Sequence, residues 1–199
     1  MYVDGDRGFW PSTRVKAGVA QGKLDATQVY EKLKETMKDG KITEQLQIIS
    51  HSRGGAFASG YMQGLTEEVI KLAEKDKIDF AYGKENIVEY SVNLAPHQSN
   101  YINYDNNGSK NVNVSHAGDP LSGNDATGNV INVQSIQDVD ATDNHGNKRF
   151  ITELNFILDI LENNIDKSKL LPQIKEGYKN YDKNRTNNSV KSKVTSNSN

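Results

Sequence analysis

A three-layer α/β fold, with a mostly parallel sheet between helices, is what this sequence predicts. Three observations predict it. Strand-like runs alternate along the chain with segments of helical periodicity. The first clear strand runs straight into a helix, as a parallel βα unit requires. And helices are available before, after and beyond the strands, enough to cover both faces of a sheet of about four or five strands. The 199 residues suit one domain with a substantial core, read as residues 1–178 followed by a polar tail over 179–199.

Taken in order, "LDATQVYEKLKETMKDG" places Val29, Leu33 and Met37 at four-residue intervals. Asp25 and Gln28 are spaced like a capping box and Gly40 stands as a stop, so the spacing predicts an amphipathic helix over 24–40. Ahead of it, "MYVDGDRGFWPSTR" supplies at most the end of one strand and a loop. Next, "EQLQIIS" alternates Leu46 and Ile48 and ends on adjacent apolar residues, as a strand entering a buried sheet does. After a Ser-Arg-Gly-Gly turn, Phe57, Tyr61, Leu65, Val69 and Leu72 recur at helical spacing, which starts a second helix just after Ser52. Three further strand-like runs end at Leu94, Ser115 and Ile136. Finally, "RFITELNFILDILENNI" sets Phe150, Leu154, Ile157, Leu158, Leu161 and Ile165 on one helical face. From Lys179 onward Asn, Ser and Lys dominate, a composition unable to offset its own ordering entropy and therefore read as disordered.

A formal net charge of −2 supplies no broad positive field, so nucleic acid and anionic membrane are not expected as primary partners. The tail carries Lys179, Lys183, Arg185, Lys191 and Lys193 against Asp182, a local basic excess read as solvated. The absence of cysteine removes disulfides and thiolate chemistry. The start shows no secretory segment, and no apolar run approaches the roughly 20 residues of a membrane span. The expectation is a soluble chain with no integral membrane segment, cytoplasmic or exported as part of a larger protein.

"IISHSRGGA" carries the chemistry. A serine hydroxyl attacks only when a histidine takes its proton, and that histidine needs a carboxylate to orient it. At a strand-turn-helix site the turn is tight, so small residues are needed two positions before and after the serine. Around Ser52 these are Ser50 and Gly54. The start of the following helix offers free backbone N–H groups, Arg53 first among them, to a developing oxyanion.

This stretch resembles the nucleophile elbow of the α/β-hydrolase fold in its lipase-like form. The resemblance spans about 42–165 and implies a minimal or N-terminally truncated member with chain order Ser, acid, His. It implies Ser52 as nucleophile, Asp119 in "VNVSHAGDPLSG" as the acid and His145 in "DATDNHGNKRF" as the base. It also implies backbone oxyanion donors, the Arg53 amide and a second from the loop at Asp4, Gly5 or Asp6, with Gly5 the first choice. The implied substrate is a small-molecule or lipid ester, with no cofactor and no metal.

Other readings stay open beside these. Asp119 before Pro120 suits a turn for hydrogen-bonding reasons alone, and Asp125, Asp138, Asp140 and Asp143 are reserve acids. His51, His97 and His116 compete with His145. His51 adjoins the serine, and His116 is placed on the same loop as Asp119. Arg53 suits a surface ion pair as well as a pocket. From another class of function, the chain reads as a non-catalytic interaction module, or as the terminal piece of a larger bacterial effector or toxin whose other domains are its partners.

Overall fold

Helix formation begins at a proline. The structure, a computed structural model, describes residues 1–5, 8–104, 109–116, 119–135, 154 and 157–163, and its first helix, α1 (Pro11–Lys34), has Pro11 in the first turn behind an extended Trp10 with ψ 142°. Proline suits that position because its missing N–H would have no helical partner there and its φ is already helical. The helix expected over 24–40 therefore starts 13 residues earlier and ends six residues earlier. Asp25 lies inside it, where its carboxylate accepts from Gln21 Nε2 (2.9 Å) and from the Tyr61 hydroxyl (3.1 Å), not at a cap. Burial, followed by the charge of Asp25, pushes the Tyr61 phenol above its ordinary range.

Past α1 the chain folds into a hairpin of β1 (Met37–Lys38) and β2 (Lys41–Ile42). Its two-residue turn is Asp39-Gly40, with φ +50° and +77°. A two-residue hairpin turn of this kind needs positive φ at both positions, which Asp-Gly provides. Gly40 turns a hairpin instead of stopping a helix.

The main sheet follows. β3 (Leu46–His51) leads through Ser52 and Arg53 into α2 (Gly54–Asp76), which ends on Lys77 in a left-handed cap. The two-residue β4 (Asp79–Phe80) pairs with β2. β5 (Val88–Leu94), β6 (Lys110–His116) and β7 (Val130–Ser135) complete a four-stranded sheet of order β3-β5-β6-β7, parallel throughout. Ser50, Asn93, Asn113 and Asn132 stand side by side across it. The architecture is α/β, as the alternation of patterns predicts.

Each face of the sheet has its own chemistry. On one, Tyr90, Val92, Leu94, Val112, Val114 and Val133 pack against Ile157 and Leu161 of the last helix, described here over 157–162. On the other, Ser91, Asn93, Asn111 and Asn113 are buried, and hydrogen bonds link them. Ser50 Oγ donates to Asn93 Oδ1 at 2.6 Å, Asn113 Nδ2 to Asn132 Oδ1 at 3.3 Å, and Asn111 Nδ2 to the Asn129 carbonyl at 2.8 Å. Such bonds are what allow amide side chains to be buried at all. At the β3 end of this face the cover becomes apolar, with Ile48 beside Ala56 and Met62 of α2.

Helix α1 packs on α2 through glycines. A Cβ on Gly60 would stand 2.0 Å from the Val15 carbonyl oxygen, one on Gly64 2.2 Å from that of Val19, and one on Gly18 2.1 Å from that of Phe57. No side chain fits in those contacts, so backbone meets backbone and the start of α2 is fixed against α1. Among the described residues no helix is long and apolar enough to cross a membrane. Phe150, Ile165 and the 179–199 segment lie outside the described residues.

Candidate functional site

Ser52 occupies a backbone conformation that serine seldom adopts, with φ +54°. For a residue with a Cβ this region costs on the order of 1 kcal/mol and must be held by its surroundings. Here the Ser52 N–H donates to the Leu94 carbonyl (2.9 Å), and its own carbonyl accepts from the amides of Gly55 and His97 (3.1 Å each). The flanking small residues face each other: a Cβ on Gly54 would lie 3.8 Å from Ser50 Cβ. Larger side chains at both positions would open the turn.

Arg53 is the helical N-cap of α2, with φ −59° and ψ −25°, so its amide directly follows the serine. Gly5 approaches the same helix start from the N-terminal segment. A Cβ there would stand 3.1 Å from Gly54 Cα and 3.2 Å from Phe57 Cβ. Gly5, Ser52 and Arg53 line one cleft of about 880 Å³, whose wall also includes Ile48, Leu33, Tyr61 and Leu65.

Asp119 follows β6 by three residues and is buried. Its Oδ1 accepts from the Leu121 amide (2.9 Å) and its Oδ2 from Ser122 Oγ (2.6 Å). The first contact is the local turn bond favoured by an aspartate before proline; the second closes the same turn three residues on. Because β3 and β6 are parallel, Ser52 and Asp119 emerge at the same end of the sheet with β5 between them. The loop after β5 joins them: the His97 amide bonds the Ser52 carbonyl, and His97 forms an antiparallel bridge to Ser122.

The other titratable groups divide clearly. His116 is the last residue of β6, fully buried, and its carbonyl accepts the Asp119 amide at 3.2 Å, so it belongs to the strand and not to the loop where the sequence placed it. His51 ends β3. His97 has Nδ1 3.5 Å from Arg14 Nη1. Asp125 is exposed and accepts from Ser99 Oγ. His145, Asp6, Asp138, Asp140 and Asp143 lie outside the described residues.

Arg14, Gln98 and Ser122 enter this site without having been singled out in the sequence. For Arg14 a signal exists: with Gly18 and Gly22 it forms a stripe at four-residue spacing, the face that α1 turns to α2. Among the described residues no group of three His, Asp or Glu side chains is placed to hold a metal ion. Compared with protein-family models, curated proteins and solved structures, the chain matches none.

Proposed function

We propose that the chain is a serine hydrolase of lipase or esterase type acting on a small-molecule or lipid ester. The observation that carries this reading is Ser52 at φ +54°, held in a two-residue turn between β3 and α2 and opening on a largely apolar cleft. Ser52 Oγ attacks the ester carbonyl carbon while His145 takes the hydroxyl proton. Asp119 orients His145 and stabilises its imidazolium. The amides of Arg53 and Gly5 donate to the oxyanion. Collapse of the tetrahedral intermediate expels the alcohol, which takes the proton from His145, and water then releases the acid by the same steps. The short gap from strand to helix supports the geometry, since such a turn projects its side chain away from the sheet.

A fluorophosphonate probe tests this directly. Wild-type protein is expected to label once per chain, Ser52→Ala not at all, and His145→Ala about a thousandfold more slowly or worse. A folded wild type that stays unlabelled overturns the hydrolase reading. That result would turn attention to a non-catalytic interaction module, which a different observation favours: among the described residues β3 is paired on one side only, and Ile49 on it is 51% exposed. An open strand edge is a template for another strand, as another domain of a larger parent protein would provide.

A further inference from the structure

A fully buried arginine sits beneath the candidate site. Arg14, in the first turns of α1, is 0% exposed, and burying a guanidinium is costly unless it is well hydrogen-bonded. Its Nη2 donates to Gln98 Oε1 at 2.8 Å, and its Nη1 stands 3.5 Å from His97 Nδ1. Both partners belong to one strained turn after β5, in which Ala95 has φ +46° and Gln98 φ +57°. That turn holds two neighbours at once. The His97 amide donates to the Ser52 carbonyl (3.1 Å), and the Gln98 amide donates to the Leu121 carbonyl (3.3 Å). His97 also bridges to Ser122, whose hydroxyl bonds Asp119.

We propose that Arg14 is the positioning residue that keeps the Ser52 turn and the Asp119 turn in register, acting through the 95–98 loop. A planar guanidinium suits this role because its rigid fork addresses two adjacent side chains in one fixed geometry, which a lysine ammonium does not. The inference rests on the hydrolase reading for its catalytic consequence but not for its structural one. Misplacing a reacting group by about 1 Å costs about a hundredfold in rate, so a slack 95–98 turn would slow acylation without altering substrate binding.

The test uses Arg14→Met, Arg14→Lys and Gln98→Leu in the full chain. Amide hydrogen exchange is expected to speed up at least tenfold at the amides of residues 97 and 98 in all three, with the α1–α2 glycine contacts still protected. Fluorophosphonate labelling and kcat should fall about ten- to a hundredfold per folded molecule, with KM unchanged, and Arg14→Lys should not restore them. Arg14→Met combined with Gln98→Leu should be no slower than Arg14→Met alone, because the Arg14–Gln98 contact is already lost in the single variant. Unchanged exchange at residues 97 and 98, or a folded Arg14→Met protein that labels at the wild-type rate, overturns the proposal. If Arg14→Met does not fold, Gln98→Leu gives the same readouts. A wild type that never labels defeats the hydrolase reading alone, and the exchange measurement then decides the role of Arg14.

Discussion

Two regions hold Ser52 in place, and they do it by different physics. Above the sheet, α1 and α2 meet along Gly18, Gly60 and Gly64 with backbone against backbone. Within the sheet, Ser50 and Asn93 meet by a hydrogen bond between side chains. The first region is held by the absence of atoms, and nothing can be added to it. The second is held by a side-chain hydrogen bond, and it should tolerate replacement when both partners change together.

The sharpest way to break that contrast is Gly60→Ala. In an ordinary helix interior this change would stabilise by about 1 kcal/mol through propensity alone. Here the new Cβ would stand 2.0 Å from the Val15 carbonyl oxygen and 2.8 Å from its carbon, which forces the helices apart. We expect the sign to reverse and the loss to reach about 4 kcal/mol, in the rare range reserved for severe overpacking. Urea unfolding measures it. A neutral or stabilising Gly60→Ala would show that the two helices are not pinned at this point.

Asn93→Leu comes next. Asn93 is fully buried and accepts the hydroxyl of the half-buried Ser50, so the variant takes away that donor's protein partner at a cost of about 1 kcal/mol. Adding Ser50→Ala removes the stranded group, and about half of the loss should return. If the double variant is no better than the single one, the polar side of the sheet is as intolerant as the helix contact, and the distinction between the two regions fails.

These two regions also mark what was legible in the sequence. The strands β3, β5, β6 and β7 and the helix after Ser52 were readable because strand and helix periods differ. The start of α1 was not, because Gly18 and Gly22 look like helix breakers until α2 is placed against them. The Asp39-Gly40 hairpin was hidden by counting Gly40 as a helix stop, although Asp-Gly is itself a turn signal. In "KNVNVSH" the alternation of Asn and Val normally means one wet face, yet residues 111–116 are buried on both sides. No periodicity distinguishes a solvated asparagine from one bonded beneath a covering segment. At the site, Ser52 and Asp119 emerge at the same end of the sheet because β3, β5 and β6 run parallel. The stripe of Arg14, Gly18 and Gly22 marked a packed helix face, but the partner of Arg14 was invisible because Gln98 lies 84 residues away.

A smaller effect isolates the strain at the turn that both regions support. Ser52→Gly should be about 1 kcal/mol more stable than Ser52→Ala, since glycine adopts φ +54° without a Cβ penalty and alanine does not. Both variants lack the hydroxyl, so the comparison separates backbone strain from chemistry. Equal stabilities would mean that the turn relaxes in solution and that Ser52 is not held in this conformation.

The smallest effect concerns the charges that also join α1 to α2. Lys23 Nζ lies 3.0 Å from Glu67 Oε2, with both side chains more than 40% exposed, and Lys71 holds the same carboxylate at 3.0 Å. The bond to Lys71, then the bond to Lys23, keeps the Glu67 carboxyl below its ordinary value. A carboxyl depressed in the folded state adds stability above its unfolded pKa and loses it as pH falls through the folded value. Lys23→Ala should therefore leave the urea midpoint at pH 7 unchanged within error, because exposed pairs are screened and Glu67 keeps a partner. Its stability should fall slightly less than that of the wild type on acidification below about pH 4. A large loss at pH 7 would mean that ion pairing, and not the glycine contact, fixes the two helices.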